Sequence, residues 1–325
     1  MTATRPDPAT ALVADIGATN ARFALIGDGP PDRIEVLRCA EYPTLTDAIR
    51  AYLERIDARM PPRAAIAVAS PITGDTIALT NHAWTFSISE MKDTLDLERL
   101  EAVNDFTAQA LAVPRLSAGD VRKVGGGEPL PGSAIGVIGP GTGLGVSGLV
   151  PTADRWVPLA AEGGHVTMAA VSEREEEVLR HLRRRFTHVS AERVLSGMGL
   201  SNLYETLATI DGEDVRALDP KGVTEAAAAG HDAHAVEAVE MFCAMLGTVA
   251  GNLALTLGSF GGVYIAGGIV PKLGDRFVRS GFRDRFVAKG RFRGYLDSIP
   301  TWVVTHPYPA FLGLKAVLDD QPPIA

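Results

Sequence analysis

Twice along this chain an apolar run of strand length breaks into a short glycine turn and resumes as a second apolar run. Ala11 to Ile16 (ALVADI) passes through Gly17-Ala18-Thr19-Asn20 into Ala21 to Ile26 (ARFALI). Ala134 to Ile138 passes through GPGTGLG into Val146 to Val150. Strand, tight turn, strand is a hairpin, because the glycines supply the backbone freedom the reversal needs. Two units of one plan hint at an internal duplication, although their residues differ too much to count as a sequence repeat.

Strand and helix patterns alternate around these hairpins. Strands are expected at Arg33 to Ala40, Ala64 to Ser70, Leu100 to Val103, Gly262 to Ala266 and Trp302 to Thr305. Helical spacing runs over Thr46 to Met60, Thr107 to Val113, Ser172 to Ser190, Ala191 to Leu207, Thr224 to Leu257 and Pro309 to Leu318. Ser172 and Glu175 have the spacing of a capping box, and the run of acids then arginines that follows complements the helix dipole. That order makes the arginine run a solvated helix face. The mixture makes the fold class α/β.

A chain of 325 residues is long for one core and suits two domains, with a glycine-rich linker, GGGEPLPG, at Gly125 to Gly132. Hydrophobic content of 46% with 22% charged residues excludes a disordered chain. A net charge of −8 gives no basic footprint, which excludes a general nucleic-acid binder. Two cysteines, Cys39 and Cys243, are too few for a disulfide scaffold or a four-cysteine zinc site. Met241 to Phe260 carries no charge and is as long as a bilayer span, but Asn252, its hydroxyl residues and its glycines mark a buried core helix. The N-terminal MTATRPDPAT has no apolar run and reads as a loose tail.

Six segments can carry chemistry. Asp15 ends a strand, and the turn Gly17, Ala18, Thr19, Asn20 offers N–H groups and a hydroxyl to a phosphate, while the carboxylate can hold Mg²⁺ directly or through water. The run from Gly139 to Gly145, with Gly141, Thr142 and Gly143 at its centre, lets a backbone approach a ligand closely. It lacks the lysine of a P-loop, and it runs into a strand where a dinucleotide loop would open a helix. Gly267 and Gly268 end a strand and could support a flat adenine. Asn104 and Asp105 stand at a strand end facing the crevice where α/β proteins bind ligands. Glu162-Gly163-Gly164-His165 sets a carboxylate and an imidazole three apart, and Glu192 is read at the start of a helix. Carboxylates, an imidazole and an amide together suit a polyol, whose hydroxyls both donate and accept. A metal cluster fits poorly, because these groups are far apart in sequence and no second histidine is near.

Over nearly its whole length the chain resembles the bacterial glucokinase family, in the non-zinc group of the hexokinase and actin-like ATPase superfamily. The anchors are LVADIGATNARFAL (12 to 25), SPITGD (70 to 75), LTNHAW (79 to 84), NDFTAQALAVP (104 to 114), IGPGTGLGV (138 to 146), EGGH (162 to 165), RVLSGMGLSNLYE (193 to 205) and SGFRDRFVAKGRF (280 to 292). The resemblance implies a two-domain actin-like ATPase (ribonuclease H-like) fold with an interdomain cleft. The small domain would be residues 1–113 plus 306–325, and the large one 114–305. It implies a cytoplasmic, often dimeric kinase that moves the γ-phosphoryl group of ATP to the 6-hydroxyl of glucose, with no nucleic-acid or membrane partner. In that reading Asp105 is the base. Asn104, Glu162, His165 and Glu192 bind sugar. The two glycine turns hold phosphates with Mg²⁺ near Asp15, and adenosine lies near Gly267 and Gly268.

One departure is Ala18, where many members carry glycine; a positive φ there would cost about 1 kcal/mol. Rival readings are a kinase for another hexose, a sugar-sensing regulator with a silent site, and a polyphosphate or acyl-phosphate enzyme on the same fold. The intact Asp105 and the sugar-type cluster count against the last two.

Overall fold

The computed structural model describes residues 10–79, 82–214 and 216–319, so the N-terminal tail and the Thr80-Asn81 part of LTNHAW lie outside the described residues. The chain forms two compact units. The first comprises residues 1–116, 152–160 and 306–325, the second residues 117–151 and 161–305.

In the first unit the sheet is built from β1 (Ala11–Ile16), β2 (Asn20–Ile26), β3 (Asp32–Arg38), β4 (Arg63–Val68) and β7 (Arg99–Asn104), in the order β3-β2-β1-β4-β7. β1 and β2 are the expected antiparallel hairpin, and β1, β4 and β7 run parallel. β5 (Thr76–Ala78) and β6 (Thr85–Ser87) make a small separate hairpin. Helix α1 (Leu45–Arg55) starts where the Thr44 hydroxyl accepts from the Asp47 N–H, and it buries Leu45, Ala48, Ile49, Tyr52 and Leu53. α2 (Ile88–Thr94) is capped by Ser87 in the same way. α3 (Asp105–Ala112) packs on the last helix, Pro309–Leu318, and Gly313 is needed there because a side chain would collide with the Ala108 carbonyl. Strand β11 (Trp156–Leu159) also belongs to this unit.

In the second unit β8 (Val121–Gly125), β9 (Ile135–Pro140), β10 (Leu144–Pro151), β12 (Val263–Ile265) and β13 (Thr301–Val304) run in the order β10-β9-β12-β13-β8. Here too an antiparallel hairpin, β9-β10, is continued by two parallel strands, β12 and β13. The run β2-β1-β4-β7 in one unit and β10-β9-β12-β13 in the other therefore repeat one plan, which the two hairpins foreshadowed. The core of this unit is aliphatic with a few phenylalanines, among them Phe242, Phe277, Phe282 and Phe286.

Four expectations about helices need correction. The stretch from 224 to 257 is not continuous: α6 (Pro220–Ala229) ends at Gly230, whose φ of 72° is left-handed, and α7 (Ala233–Leu257) begins again at the Asp232 cap. α4 (Glu173–Arg185) stops before the extended Phe186, short of Ser190. Beyond it lies only the single 3₁₀ turn Ala191–Arg193 before Ser196 caps α5 (Gly197–Ile210). The capping box on α4 is half made. Ser172 accepts from the Glu175 N–H, but the Glu175 carboxylate instead takes the Val171 N–H at 2.7 Å and the Arg285 guanidinium at 2.6 Å. α7 is long and apolar enough to cross a membrane, yet 72% of its most apolar window is buried inside the protein, as a core helix requires. Gly247 and Gly251 lie against the backbone of Phe282 and Phe286.

Candidate active site

Within the first unit the three parallel strands end level. Ile16 pairs with Val68, and Val68 with Asn104. Neighbouring strands are about 4.8 Å apart, so the ends of β1 and β7 are separated by about 10 Å. Past these ends come the turn Gly17–Asn20, then Ser70, then Asp105. Residues 88 apart in sequence thus meet at the carboxyl edge of one sheet, the usual ligand edge of α/β proteins.

The turn is anchored from behind. The Gly17 N–H donates to the Asn20 carbonyl at 3.0 Å, the Cys39 N–H donates to the Thr19 carbonyl at 2.9 Å, and the buried Cys39 thiol donates to the Gly17 carbonyl at 3.4 Å. A planar peptide sends its N–H opposite to its C=O, so the Ala18 N–H is turned away from Cys39. Ala18 is absent from the positive-φ residues, which among the described non-glycines are Arg33, Asp57 and Asp96. Its methyl group therefore carries no backbone penalty, and the concern raised by the missing glycine falls away.

Asp15 faces Arg22 across the hairpin, with Nη1 of Arg22 3.1 Å from Oδ2. Burial pushes the Asp15 carboxyl above the ordinary value of 3.8, and Arg22 offsets part of that rise. A partly desolvated carboxylate beside a phosphate-type turn fits the modest demand of Mg²⁺, which takes one or two carboxylates plus phosphates and keeps several waters. Among the described residues no group of three or more His, Cys, Asp or Glu gathers as an all-protein metal site.

Asn104 and Asp105 stand at the expected strand end, where β7 passes directly into α3. Asn104 is the N-cap of α3: its Oδ1 accepts from the N–H groups of Phe106 (2.9 Å) and Thr107 (3.2 Å), and its Nδ2 donates to the Ser70 carbonyl at 3.4 Å. Asp105 is the first residue of α3, half-buried, where the positive end of the helix dipole favours a carboxylate.

In the second unit the two glycine segments lie side by side. Ile138 pairs with Ile265, and the Ala266 N–H donates to the Ile138 carbonyl at 2.8 Å. Gly267, at φ 79°, fits against Pro140 where any side chain would strike the backbone; Gly268 faces open space. The Gly141 N–H closes the other turn on the Gly143 carbonyl at 2.8 Å, leaving Thr142 exposed at the tip. The Gly197 N–H, at the start of α5, holds the Gly141 carbonyl at 2.8 Å, a support that sequence reasoning missed.

The EGGH segment is a 3₁₀ turn laid on β10. A side chain at Gly163 would meet Val146, and one at Gly164 the Leu144 carbonyl, so the glycines are there for close approach. Glu162 and His165 are left exposed at either end. An antiparallel bridge, Thr167 to Ser190, then brings residues 165 and 192 to the same end of two chain segments. His165 and Glu192 accordingly line one pocket of about 340 Å³, together with Arg185, Phe186, His188 and Arg193. Glu192 sits in a 3₁₀ turn and not at the head of a longer helix. Its Oε2 accepts from the Leu144 N–H at 2.9 Å. Arg22, Cys39, Leu144 and Gly197 are the participants the sequence did not reveal. Only Arg22 left a signal, as a charge on an otherwise apolar strand opposite Asp15.

A family model described as Glucokinase matches residues 12–321. A glucokinase of Paramagnetospirillum magneticum is 54% identical over 312 residues, covering 95% of this chain and 97% of that protein. The bifunctional protein glk of Burkholderia pseudomallei is also 54% identical over 95% of this chain, but only 48% of that protein is covered. The chain thus spans about half the length of the bifunctional relatives it matches. The crystal structure of a glucokinase from an Antarctic psychrotroph superposes with a TM-score of 0.87 at 37% identity, over 96% of this chain and 99% of the other.

Proposed function

The chain belongs to the glucokinase family and has its two-domain actin-like ATPase fold, and we propose that it phosphorylates D-glucose with ATP to glucose 6-phosphate, the first step of glycolysis. The observation that carries this reading is the common level of Ile16, Val68 and Asn104. It sets a carboxylate at the head of α3 within about two strand spacings of a turn with an outward N–H.

Phosphoryl transfer needs positioning and charge stabilisation more than covalent help. Asp105 accepts the proton of the sugar 6-hydroxyl as that oxygen attacks the γ-phosphorus in line. The new O–P bond forms while the bond from phosphorus to the β,γ-bridging oxygen breaks, and ADP leaves. Asn104, Glu162, His165 and Glu192 hold the other hydroxyls. The turns Gly17–Ala18–Thr19–Asn20 and Gly141–Thr142–Gly143 hold the phosphates, through N–H groups other than those of Gly17 and Gly141, which close the turns. Adenosine lies against Gly267 and Gly268. Mg²⁺ neutralises phosphate charge when bound, and Asp15 would hold it directly or through water. We further assign a cytoplasmic homodimer.

The test is ATP-dependent ADP release across a hexose panel, with and without Mg²⁺. The expected result is Mg²⁺-dependent turnover with the highest kcat/KM for glucose. A higher value for fructose or mannose would reassign the substrate, and no turnover with any hexose would sink the kinase reading.

A further inference from the structure

Gly143 is a glycine for a reason that has nothing to do with backbone freedom. Its φ is not positive, so an L-residue could adopt its conformation. What excludes a side chain is Glu192: a Cβ on Gly143 would land on the Glu192 carboxylate. The next residue, Leu144, donates its N–H to Oε2 of the same carboxylate at 2.9 Å. Among the described residues Oε1 makes no hydrogen bond, which leaves it for a ligand hydroxyl. Leu144 also carries the carbonyl against which Gly164 packs, so Glu162 and His165 are referred to the same backbone. The turn is itself fixed by the Gly141 N–H on the Gly143 carbonyl.

We propose that the turn Gly141–Leu144 positions the sugar-binding carboxylate of Glu192, so that nucleotide on the turn and sugar on the carboxylate bind interdependently. This rests on the reading of Glu192 as a sugar ligand and of the turn as a phosphate ligand. A charge-assisted hydrogen bond from a backbone N–H fixes a carboxylate more firmly than a neutral one would. Phosphate oxygens drawn to the turn shift or stiffen the Leu144 N–H, and the carboxylate follows. The linkage is reciprocal: whatever factor nucleotide applies to glucose affinity, glucose applies to nucleotide affinity.

The decisive variant is Gly143→Ala. The obstacle to its methyl group is the far end of a flexible side chain, so the carboxylate moves and the backbone need not. Gly141→Ala, whose methyl group meets nothing within 4 Å, is the control within the same turn. Glucose binding is measured by calorimetry on the intact chain, without nucleotide and with a non-hydrolysable ATP analogue plus Mg²⁺. We expect Gly143→Ala to weaken glucose about tenfold or more without nucleotide, the scale of one charge-assisted hydrogen bond. It should also bring the ratio of the two glucose constants to about one, the value for uncoupled sites. Gly141→Ala should keep the nucleotide-free glucose affinity within about threefold, since no contact to the carboxylate changes. Unchanged glucose affinity in Gly143→Ala, or an equal loss in Gly141→Ala, overturns the proposal. Should Gly143→Ala fail to melt cooperatively, Glu192→Ala decides. It strips the Leu144 N–H of its partner, and affinity for the analogue without sugar should fall several-fold; wild-type affinity there overturns the link. Wild-type protein that binds no glucose would instead refute the underlying sugar-site reading.

Discussion

Asp15 and Arg22 stand opposite each other in the β1–β2 ladder, joined by one 3.1 Å contact that leaves the aspartate 20% and the arginine 40% exposed. Burial disfavours the charge on Asp15, and Arg22 compensates only in part. A carboxyl set against a guanidinium beside a phosphate-type turn suits a cation-handling role better than a purely structural one. Asp15→Asn removes the burdened charge while Arg22 stays hydrated, so the ligand-free protein should melt no lower than wild type. Its kcat/KM for Mg-ATP should fall roughly 10–100-fold, the usual loss for a group that orients a metal or its waters. A Mg²⁺ titration of turnover that matches wild type would remove Asp15 from that role.

Asp105 can be tested without disturbing the helix it opens. Asparagine matches its shape and is accepted in a first helical turn. Asp105→Asn should therefore keep wild-type melting and glucose affinity, while kcat drops by roughly 10²-fold or more, the scale of a lost general base. Near wild-type ADP release in a coupled assay would contradict the assignment.

Asn104 has two duties on two atoms, and two substitutions separate them. Its Oδ1 caps α3 and its Nδ2 reaches the Ser70 carbonyl. Asn104→Ala loses the cap and should cost about 1 kcal/mol in denaturant unfolding. Asn104→Ser keeps a capping oxygen and should recover most of that stability. Both lose the amide donor, so both should raise the KM for glucose about tenfold. If the serine variant restored KM along with stability, Nδ2 would have no part in holding the sugar.

The parts of the fold that could be read from the sequence are those specified by local pattern. The hairpins are apolar runs split by glycine, and the helix Pro309–Leu318 has the bounds its proline and apolar spacing gave it. The break between α6 and α7 is marked by Gly230 and Asp232 in sequence, but alanine-rich, helix-favouring residues on both sides obscure the signal. Asn104 followed by Asp105 is itself an N-cap and an acid in a first turn, a signature that reads equally well as a strand end. What could not be read are relations of register and distance. The bridge Thr167–Ser190, the Leu144 amide on Glu192 and the Cys39 thiol on Gly17 join segments with no shared periodicity. Candidate site residues could thus be listed by type, but the supports that aim them belong to the packing.

The ion pair between Glu175 and Arg285 is another relation of packing, away from the proposed site, and the energetics predict an asymmetric response to its removal. Two hydrogen bonds of 2.6 and 3.1 Å join the side chains, and Arg285 also holds the Thr248 hydroxyl at 2.9 Å, so α4, α7 and the helix Phe282–Val287 meet at one charge pair. Only 3% of the Glu175 side chain and 19% of the Arg285 side chain reach solvent. Removing one partner leaves the other charge buried without compensation, which typically costs 3–5 kcal/mol, whereas replacing both by apolar groups of similar volume is often near neutral. Glu175→Ala should therefore lower unfolding stability by about 3 kcal/mol. Glu175→Leu combined with Arg285→Met should recover most of that loss. Turnover per folded molecule should be unchanged in each, because neither side chain belongs to the proposed site. Chemical denaturation of the three proteins decides the matter: a single variant within about 0.5 kcal/mol of wild type, the range of ordinary surface substitutions, would mean that water already solvates this pair and that the three helices are held by their apolar faces alone.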